Sequence, residues 1–371
     1  MPLQMVDLHA QVASIRAELD AAIAAVLDST AFVRGPFVQR FEQELSACLG
    51  GVPSVSCANG TDALQLAYMA AGIGPDDEVI MPSFTFVATA EAAALLGARP
   101  VFVEIDPGTF NVDPGDVEAA ITDRTRAIVP VHLFGQTADL DPLLELARRH
   151  DLVLIEDNAQ AIGASYRGRP AGTLGRFGCL SFYPSKNLGA YGDAGAVLAP
   201  DAADADAVRR LANHGARQKY FHEEIGVNSR LDAFQAAILS VKLPHLPAWT
   251  VARQEAAARY DAGIAGRPAL AATVTPPPRA PWGDHVFHQY VVRAPADARD
   301  RLADHLRAAG VPTMVYFPHP LHVMPAFPGM PEGSLPETER ACREVLALPM
   351  HPHLGADDVD LILDVMEEFF R

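Results

Sequence analysis

The chain has 371 residues, 49% hydrophobic and 20% charged, long enough for two domains or one large domain with a smaller appendage. Its 29 Lys and Arg against 46 Asp and Glu leave a formal net charge of −17 that no basic cluster relieves, which argues against nucleic-acid binding and against docking on an anionic membrane. Cys48, Cys57, Cys179 and Cys342 show neither CxxC pairing nor disulfide-framework spacing, so a reducing, cytoplasmic location is expected.

Met1 to Leu8 carry Asp7 and no basic segment followed by an apolar block, so no signal peptide is expected, and every apolar run is too short to cross a bilayer. Residues 8–28 predict an amphipathic helix, with Ile15, Leu19, Ile23 and Val26 at three- and four-residue spacing; Phe32-Val33-Arg34-Gly35-Pro36 breaks it. A second helix is expected from about Phe37 to Leu49, then a short strand over Val52–Ser56. Asn59-Gly60-Thr61-Asp62 opens a helix over Ala63–Ala71, with Thr61 or Asp62 as its cap. The free N–H groups of such a start suit an anion; an ordinary cap explains the same residues.

From Glu78 the chain alternates strands with helices. Strands are expected at Glu78–Pro82, Pro100–Ile105, Ala127–Leu133, Leu152–Glu156, Cys179–Tyr183 and Ala194–Ala199, and helices at Thr89–Leu96, Pro114–Ile121 and Leu140–His150. Nearly all-apolar strands joined by helices predict a mostly parallel sheet covered on both faces, with ligands beyond the carboxyl ends of its strands. Three groups fall at those ends. Phe84 offers an aromatic face, unless it is a core phenylalanine. Asp157 is a carboxylate at a buried mouth, costly unless a cation pairs with it. Lys186 stands alone, with no other basic residue between Arg176 and Arg209. Flanked by Tyr, Pro, Leu and Gly, its amine is expected to be partly desolvated, which lowers its pKa and favours Schiff-base chemistry; a lysine snorkelling from a loop is the plain alternative. An aromatic aldehyde carrying a phosphate would use all of these groups together.

A helix is expected at Ala202–Leu211, followed by the polar stretch Asn213–His222 and on to Gly226-Val227-Asn228-Ser229-Arg230-Leu231-Asp232. A helix over Ala233–Leu243, stopped by Pro244, and another over 249–264 come next, and 276–281 reads as a linker. A smaller α/β unit closes the chain, with strands His288–Arg293 and Thr313–Phe317 and helices Arg299–Ala309 and Ala356–Phe370. Two clusters, His319-Pro320-Leu321-His322 and His351-Pro352-His353, lack metal-ligand spacing; no metal is expected, and His322 is the histidine expected to line a pocket.

The sequence resembles the pyridoxal-phosphate-dependent sugar aminotransferases of fold type I, often called the DegT family, nearly end to end. The resemblance is carried by Phe32–Pro36, Asn59–Leu64, Pro82–Thr89, Val131–Gln136, Ile155–Gln160, Ser181–Gly195, Gly226–Asp232 and Leu348-Pro349-Met350. It implies an α/β fold with a mostly parallel central sheet flanked by helices, a large cofactor-binding domain over 1–248 and a small C-terminal α/β domain over 249–371.

The resemblance also implies roles. Lys186 is similar to the lysine that links to pyridoxal 5'-phosphate and then moves the substrate proton, and Asp157 to the partner of the ring nitrogen. Gln160 lies where relatives approach the ring hydroxyl, and Phe84 where an aromatic stacks on the ring. Gly60, Thr61, Asp62 and Ser181 are expected at the cofactor phosphate, with Asn228 reaching the phosphate of the neighbouring subunit in a homodimer. Arg230 is expected to anchor the amino donor's carboxylate or the nucleotide diphosphate, and Tyr316 and His322 to contact substrate. Asn158 departs from the family's commoner alanine without touching these roles. Relatives that dehydrate carry histidine at the Lys186 position, so amino transfer is expected.

The implied reaction moves an amino group from L-glutamate, through pyridoxamine 5'-phosphate, to a keto group of a nucleotide-linked hexose. The wording of 228–232 leans to sugar C3 over C4. A keto-cyclitol substrate, or a regulatory protein that keeps the fold without turnover, stays open from the residues alone.

Overall fold

The computed structural model describes residues 3–329 and 333–371; Met1 and Pro2, where the N-terminal reading began, lie outside them. A seven-stranded sheet forms the centre. Its strands are β1 (Ser54–Cys57), β2 (Glu78–Pro82), β3 (Arg99–Val103), β4 (Thr125–Ile128), β5 (Val153–Asp157), β6 (Phe177–Ser181) and β7 (Gly195–Leu198). They lie in the order β1-β7-β6-β5-β4-β2-β3. Only β7 is antiparallel to its neighbours, so β1, β2, β4, β5 and β6 all end on one edge. β1, β2 and β7 are buried at every position and β5 and β6 at all but one, as expected of a sheet covered on both faces.

Helices α1 (Leu8–Ser14), α2 (Arg16–Ser29) and α3 (Pro36–Cys48) precede the sheet. The expected first helix is therefore two, interrupted at Ile15, whose φ of −125° is not helical. α4 (Gly60–Ala70), α5 (Ala88–Ala94), α6 (Pro114–Ala120) and α7 (Leu140–His150) connect the strands, and α8 (Ala202–Leu211), α9 (Ala233–Lys242) and α10 (Leu246–Ala265) follow. Pro244 does not end the helical path. It sits in a single 3-10 turn, Leu243–His245, at a position where a missing N–H is tolerated, and α10 starts directly after it.

The C-terminal unit has its own apolar cluster, drawn from residues 256–366 and including Tyr260, Tyr290, Leu302, Leu346 and Ile362. Its two-stranded sheet pairs β8 (Tyr290–Arg293) with β9 (Val345–Leu348), antiparallel. The strand expected at Thr313–Phe317 is reduced to one bridge, Met314 with Ala347. Pro312 and Pro318 bracket it, and a residue without an N–H cannot extend a ladder. β9 and the helix before it, Pro336–Glu344, were not anticipated from the sequence.

Candidate active site

The shared strand edge gathers most of the expected groups. α4 starts where β1 ends. Asn59, in extended conformation, caps it by accepting from the Asp62 N–H at 2.8 Å, so neither Thr61 nor Asp62 is the cap. The N–H groups of Gly60 and Thr61 open the helix ahead of that bond. Gly60 also has to be glycine: a Cβ there would lie 2.6 Å from the Ser181 Cβ and 3.0 Å from its hydroxyl. Backbone donors and the Ser181 hydroxyl thus meet in one cradle, which suits a phosphate group.

Asp157, the last residue of β5, is 5% exposed. Its Oδ2 accepts from the Thr89 hydroxyl at 2.7 Å and its Oδ1 from the Ala159 N–H at 3.1 Å. Burial nonetheless pushes its pKa up; Thr89, the Ala159 N–H and the nearby charge of Lys186 offset that only in part. A carboxylate in this state gains from a cation placed against it. The Lys186 amine meets the converse field: burial lowers it to about 8, against the raising influence of Asp157. Its side chain keeps some open surface while protein surrounds the amine, which has no hydrogen-bond partner among the described residues. The backbone is fixed by Lys186 N–H to Tyr183 carbonyl, 2.8 Å, and Gly189 is packed so that a Cβ would come 2.3 Å from the Pro184 oxygen.

Gln160 accepts from the Phe134 N–H at 2.7 Å through Oε1, which leaves its NH2 group as the donor for a ring hydroxyl. Tyr316 is half-buried, with its phenol hydrogen-bonded by the Gln289 side chain and near Tyr183; burial raises its pKa. Asn228 and Arg230 flank the buried Ser229, whose hydroxyl accepts from the Ala58 N–H at 3.1 Å, and Asn228 itself is exposed.

Two expectations need correction. Phe84 has no exposed surface: its ring is enclosed by Phe110, Phe134 and Phe317 at centroid distances of 5.8, 6.2 and 6.0 Å, so no face is left for a cofactor. Phe86, two residues on, is 57% exposed and shares the segment that delivers Thr89 to Asp157. The available aromatic is Phe86; nothing local in Phe84-Thr85-Phe86 distinguishes the two. His322 is likewise fully buried. Its N–H donates to the Ser83 hydroxyl (3.1 Å), the hydroxyl lies 2.8 Å from Nδ1, and Nε2 lies 3.2 Å from Glu339 Oε1. With both ring nitrogens engaged it positions the start of the Ser83–Phe86 segment and offers nothing to a substrate.

His288 was missed by the sequence reading. It is buried, burial and the nearby Lys186 and Arg253 charges hold it well below the ordinary histidine value, and its Nδ1 has no hydrogen-bond partner among the described residues. A neutral imidazole therefore faces the same electrostatic neighbourhood as Lys186. Among the described residues no group of acidic, histidine or cysteine side chains is arranged to hold a metal.

The sequence profile of the DegT/DnrJ/EryC1/StrS aminotransferase family matches residues 13–367. A "Pleiotropic regulatory protein" of Geobacillus stearothermophilus is 46% identical, over 100% of this chain and 99% of its own. The dTDP-3-amino-3,4,6-trideoxy-alpha-D-glucose transaminase of Streptomyces venezuelae is 47% identical, over 98% and 95%. The crystal structure of S. venezuelae DesV in complex with a ketimine intermediate superposes with a TM-score of 0.96 at 46% identity, covering 100% of this chain and 99% of that one.

Proposed function

The chain belongs to the DegT/DnrJ/EryC1/StrS aminotransferase family, and from that membership we propose that it transfers an amino group from L-glutamate to the C3 keto group of a nucleotide-linked hexose. The observation that carries the reading is the opposed pair at the strand edge: an amine depressed to about 8 beside a buried carboxylate pushed upward, under the open start of α4. The C3 position rests on the 228–232 wording and on the likeness to the 3-amino-sugar transaminase.

The residues fit pyridoxal phosphate. Gly60 and Ser181 leave a cradle that any Cβ at position 60 would fill, and Asp157, still raised by burial despite the nearby Lys186, has no ion pair among the described residues. When bound, the cofactor supplies an aldehyde for Lys186 and a ring that accepts an electron pair. Asp157 would keep a proton on the ring nitrogen, and Gln160 would donate its NH2 to the ring hydroxyl. Phe86 would cover one ring face. Lys186, whose amine is in part uncharged near neutral pH, would take a proton from the reacting carbon and return it. Thr89 and the Ala159 N–H hold the Asp157 carboxylate in one orientation throughout.

The same proposal places the domain division at 248/249, supported by the separate apolar cluster of the C-terminal unit, and pairs two copies so that Asn228 of one completes the phosphate cradle of the other. The exposed Phe32, Val33, Tyr220, Phe221 and Ile225 favour such pairing. The four free cysteines fit a cytoplasmic setting, and no helix among the described residues is long and apolar enough to cross a membrane.

The test is the visible spectrum of the protein with pyridoxal phosphate, before and after glutamate, followed by UDP-, dTDP- and GDP-linked keto sugars. The band should shift with glutamate and return with one keto sugar. Lys186→Ala should lose transfer, by at least the roughly 10²–10⁴-fold that a positioned acid–base group supplies. Return of the band only with a keto-cyclitol would overturn the substrate class, and unchanged cellular function in Lys186→Ala would favour a regulatory role.

A further inference from the structure

Two polar side chains of α9 reach the backbone just beyond Lys186. Gln235 and Lys242 are separated by two helical turns, so both project from the same side of the helix. Lys242 has no exposed surface, and its amine donates to the Gly189 carbonyl. Gln235 Oε1 accepts from the Tyr191 N–H at 2.8 Å. One helix thus gives a donor to one peptide group and an acceptor to another close by, and the opposite polarity of the two bonds fixes the direction of the backbone between them.

Burying an amine is unfavourable unless it is well partnered. Lys242 makes no ion pair among the described residues, and burial alone lowers it to about 7. Beyond the Gly189 carbonyl it has the rings of Tyr191, at 4.7 Å, and Trp249, at 5.9 Å. A methionine would fill much of the same space without that burden; what it would lose is the hold on Gly189. An amine donates in either protonation state, so that hold does not depend on titration.

The loop that is held carries Lys186 at its centre. The Ala190 N–H returns to the Phe182 carbonyl at 2.7 Å and closes it, while the Asn187 side chain ties its middle to the Val286 carbonyl at 3.0 Å. Gly189 lies against the backbone on the other side of Lys186: a Cβ on it would come 2.3 Å from the Pro184 oxygen and 2.8 Å from that of Tyr183. Any shift of Gly189 is therefore passed to the segment from which the lysine projects. The Lys186 amine has no hydrogen-bond partner of its own to correct such a shift. We infer that Gln235 and Lys242 are positioning residues, which grip Gly189 and Tyr191 from α9 and so set where the Lys186 amine stands. The inference rests on the aminotransferase reading of Lys186 and adds to it two residues of a helix outside the strand edge.

The experiment compares Lys242→Met with Lys242→Gln, two side chains of equal length and equal lost charge of which only the second has a donor. A small misplacement of a reacting group costs up to about 10²-fold, so Lys242→Met should lower kcat by roughly 10–10²-fold with little change in the KM for glutamate. The second readout needs no cofactor. Lys186, Lys219 and Lys242 are the only lysines of the chain, so acetylation of cofactor-free protein by acetic anhydride, followed by peptide mass spectrometry, reads Lys186 separately. Its rate should have a pH midpoint of about 8 in the wild type and move toward 10.5 in Lys242→Met, as the loosened loop admits water to the amine. Lys242→Gln should recover part of both losses. Gln235→Met should act in the same direction, and the double variant should lose less kcat than the product of the two single losses, because one lost grip already frees the loop. Leu302→Ala, in the C-terminal core, should lower the melting temperature and leave kcat and midpoint of the folded protein unchanged. A Lys242→Met protein that behaves as Leu302→Ala does, or a Lys242→Gln protein indistinguishable from Lys242→Met, overturns the inference. If the wild type shows no glutamate-dependent spectral shift, the aminotransferase reading falls instead, and the acetylation midpoint still reads the hold on Lys186.

Discussion

The two sides of β5 carry adjacent carboxylates with opposite fates. Glu156 is fully buried, yet its pKa is lowered: burial raises it, and the His132 hydrogen bond with the N–H groups of Gly175 and Gly172 outweighs that. Its oxygens accept from Gly172 (2.7 Å), Leu174 (2.7 Å) and Gly175 (2.6 Å), and from His132 Nε2 at 2.9 Å. The Ala138 N–H donates to His132 Nδ1, which leaves the ring proton on Nε2, facing Glu156. Asp157, pointing to the opposite face, has two donors and a raised pKa. A carboxylate that the fold satisfies is part of the fold, whereas one left wanting a cation is available for chemistry.

The lysines divide the same way. Lys242 is buried and lowered to about 7, but its amine donates to the Gly189 carbonyl and lies 4.7 Å from the Tyr191 ring and 5.9 Å from that of Trp249. Lys186, three residues before Gly189, has no such partners. Depressed basicity alone does not set Lys186 apart from Lys242; depressed basicity without local partners does.

The contrast is open to direct attack. Asp157→Asn should reduce kcat by roughly 10²–10³-fold, as expected when a preorganised electrostatic group is lost, while leaving stability unchanged or improved, since a raised carboxylate is a liability in the folded state. A large drop in melting temperature would place Asp157 with Glu156 instead. Glu156→Gln should do the reverse. Its new NH2 meets backbone N–H donors, at about 1–3 kcal/mol for each group left unsatisfied, measured as the shift in urea midpoint. The sign with pH follows from the lowered value. Glu156 contributes stability above the ordinary value of 4.5 and loses it as pH falls through the folded value, so acid unfolding should come at higher pH without it.

Which of these roles the sequence could disclose depended on whether the deciding contacts are local. Lys186, Asp157, Gln160 and the Gly60 helix start lie in short runs whose strand and helix boundaries place them at one sheet edge, so their gathering there was legible, while their roles stay with the proposal. Phe84 and Phe86 were not separable, because what buries Phe84 is Phe110, Phe134 and Phe317, all distant in sequence. The contacts that close around His322 come from Ser83, 239 residues away, and Glu339, 17 residues away, and nothing in its own segment announces them. β9 escaped notice because its identity comes from register with β8, more than fifty residues earlier, and not from its own four apolar residues. Arg34 reads in the sequence only as part of a helix-breaking turn; that it lines one cavity with Arg209 and Arg230 is a matter of topology.

The smallest expected effect discriminates most finely between the two faces of β5. An amine adds to an aldehyde only when uncharged, so the rate at which cofactor-free protein takes up pyridoxal phosphate should follow the neutral fraction of Lys186. With a value of about 8 that rate should rise from pH 6.5 and level off above about 9, whereas an ordinary lysine at 10.5 would still be climbing. Asp157 is the charge that holds the value up against burial. Asp157→Asn should therefore move the midpoint down and speed uptake at neutral pH, even while it abolishes most turnover. Glu156→Gln, judged on the fraction still folded, should leave the midpoint where it is, because Glu156 does not figure among the charges that set Lys186. A midpoint that moved equally in both variants would mean that the strand's two faces share one electrostatic environment, and the division drawn between a structural and a chemical carboxylate would fail.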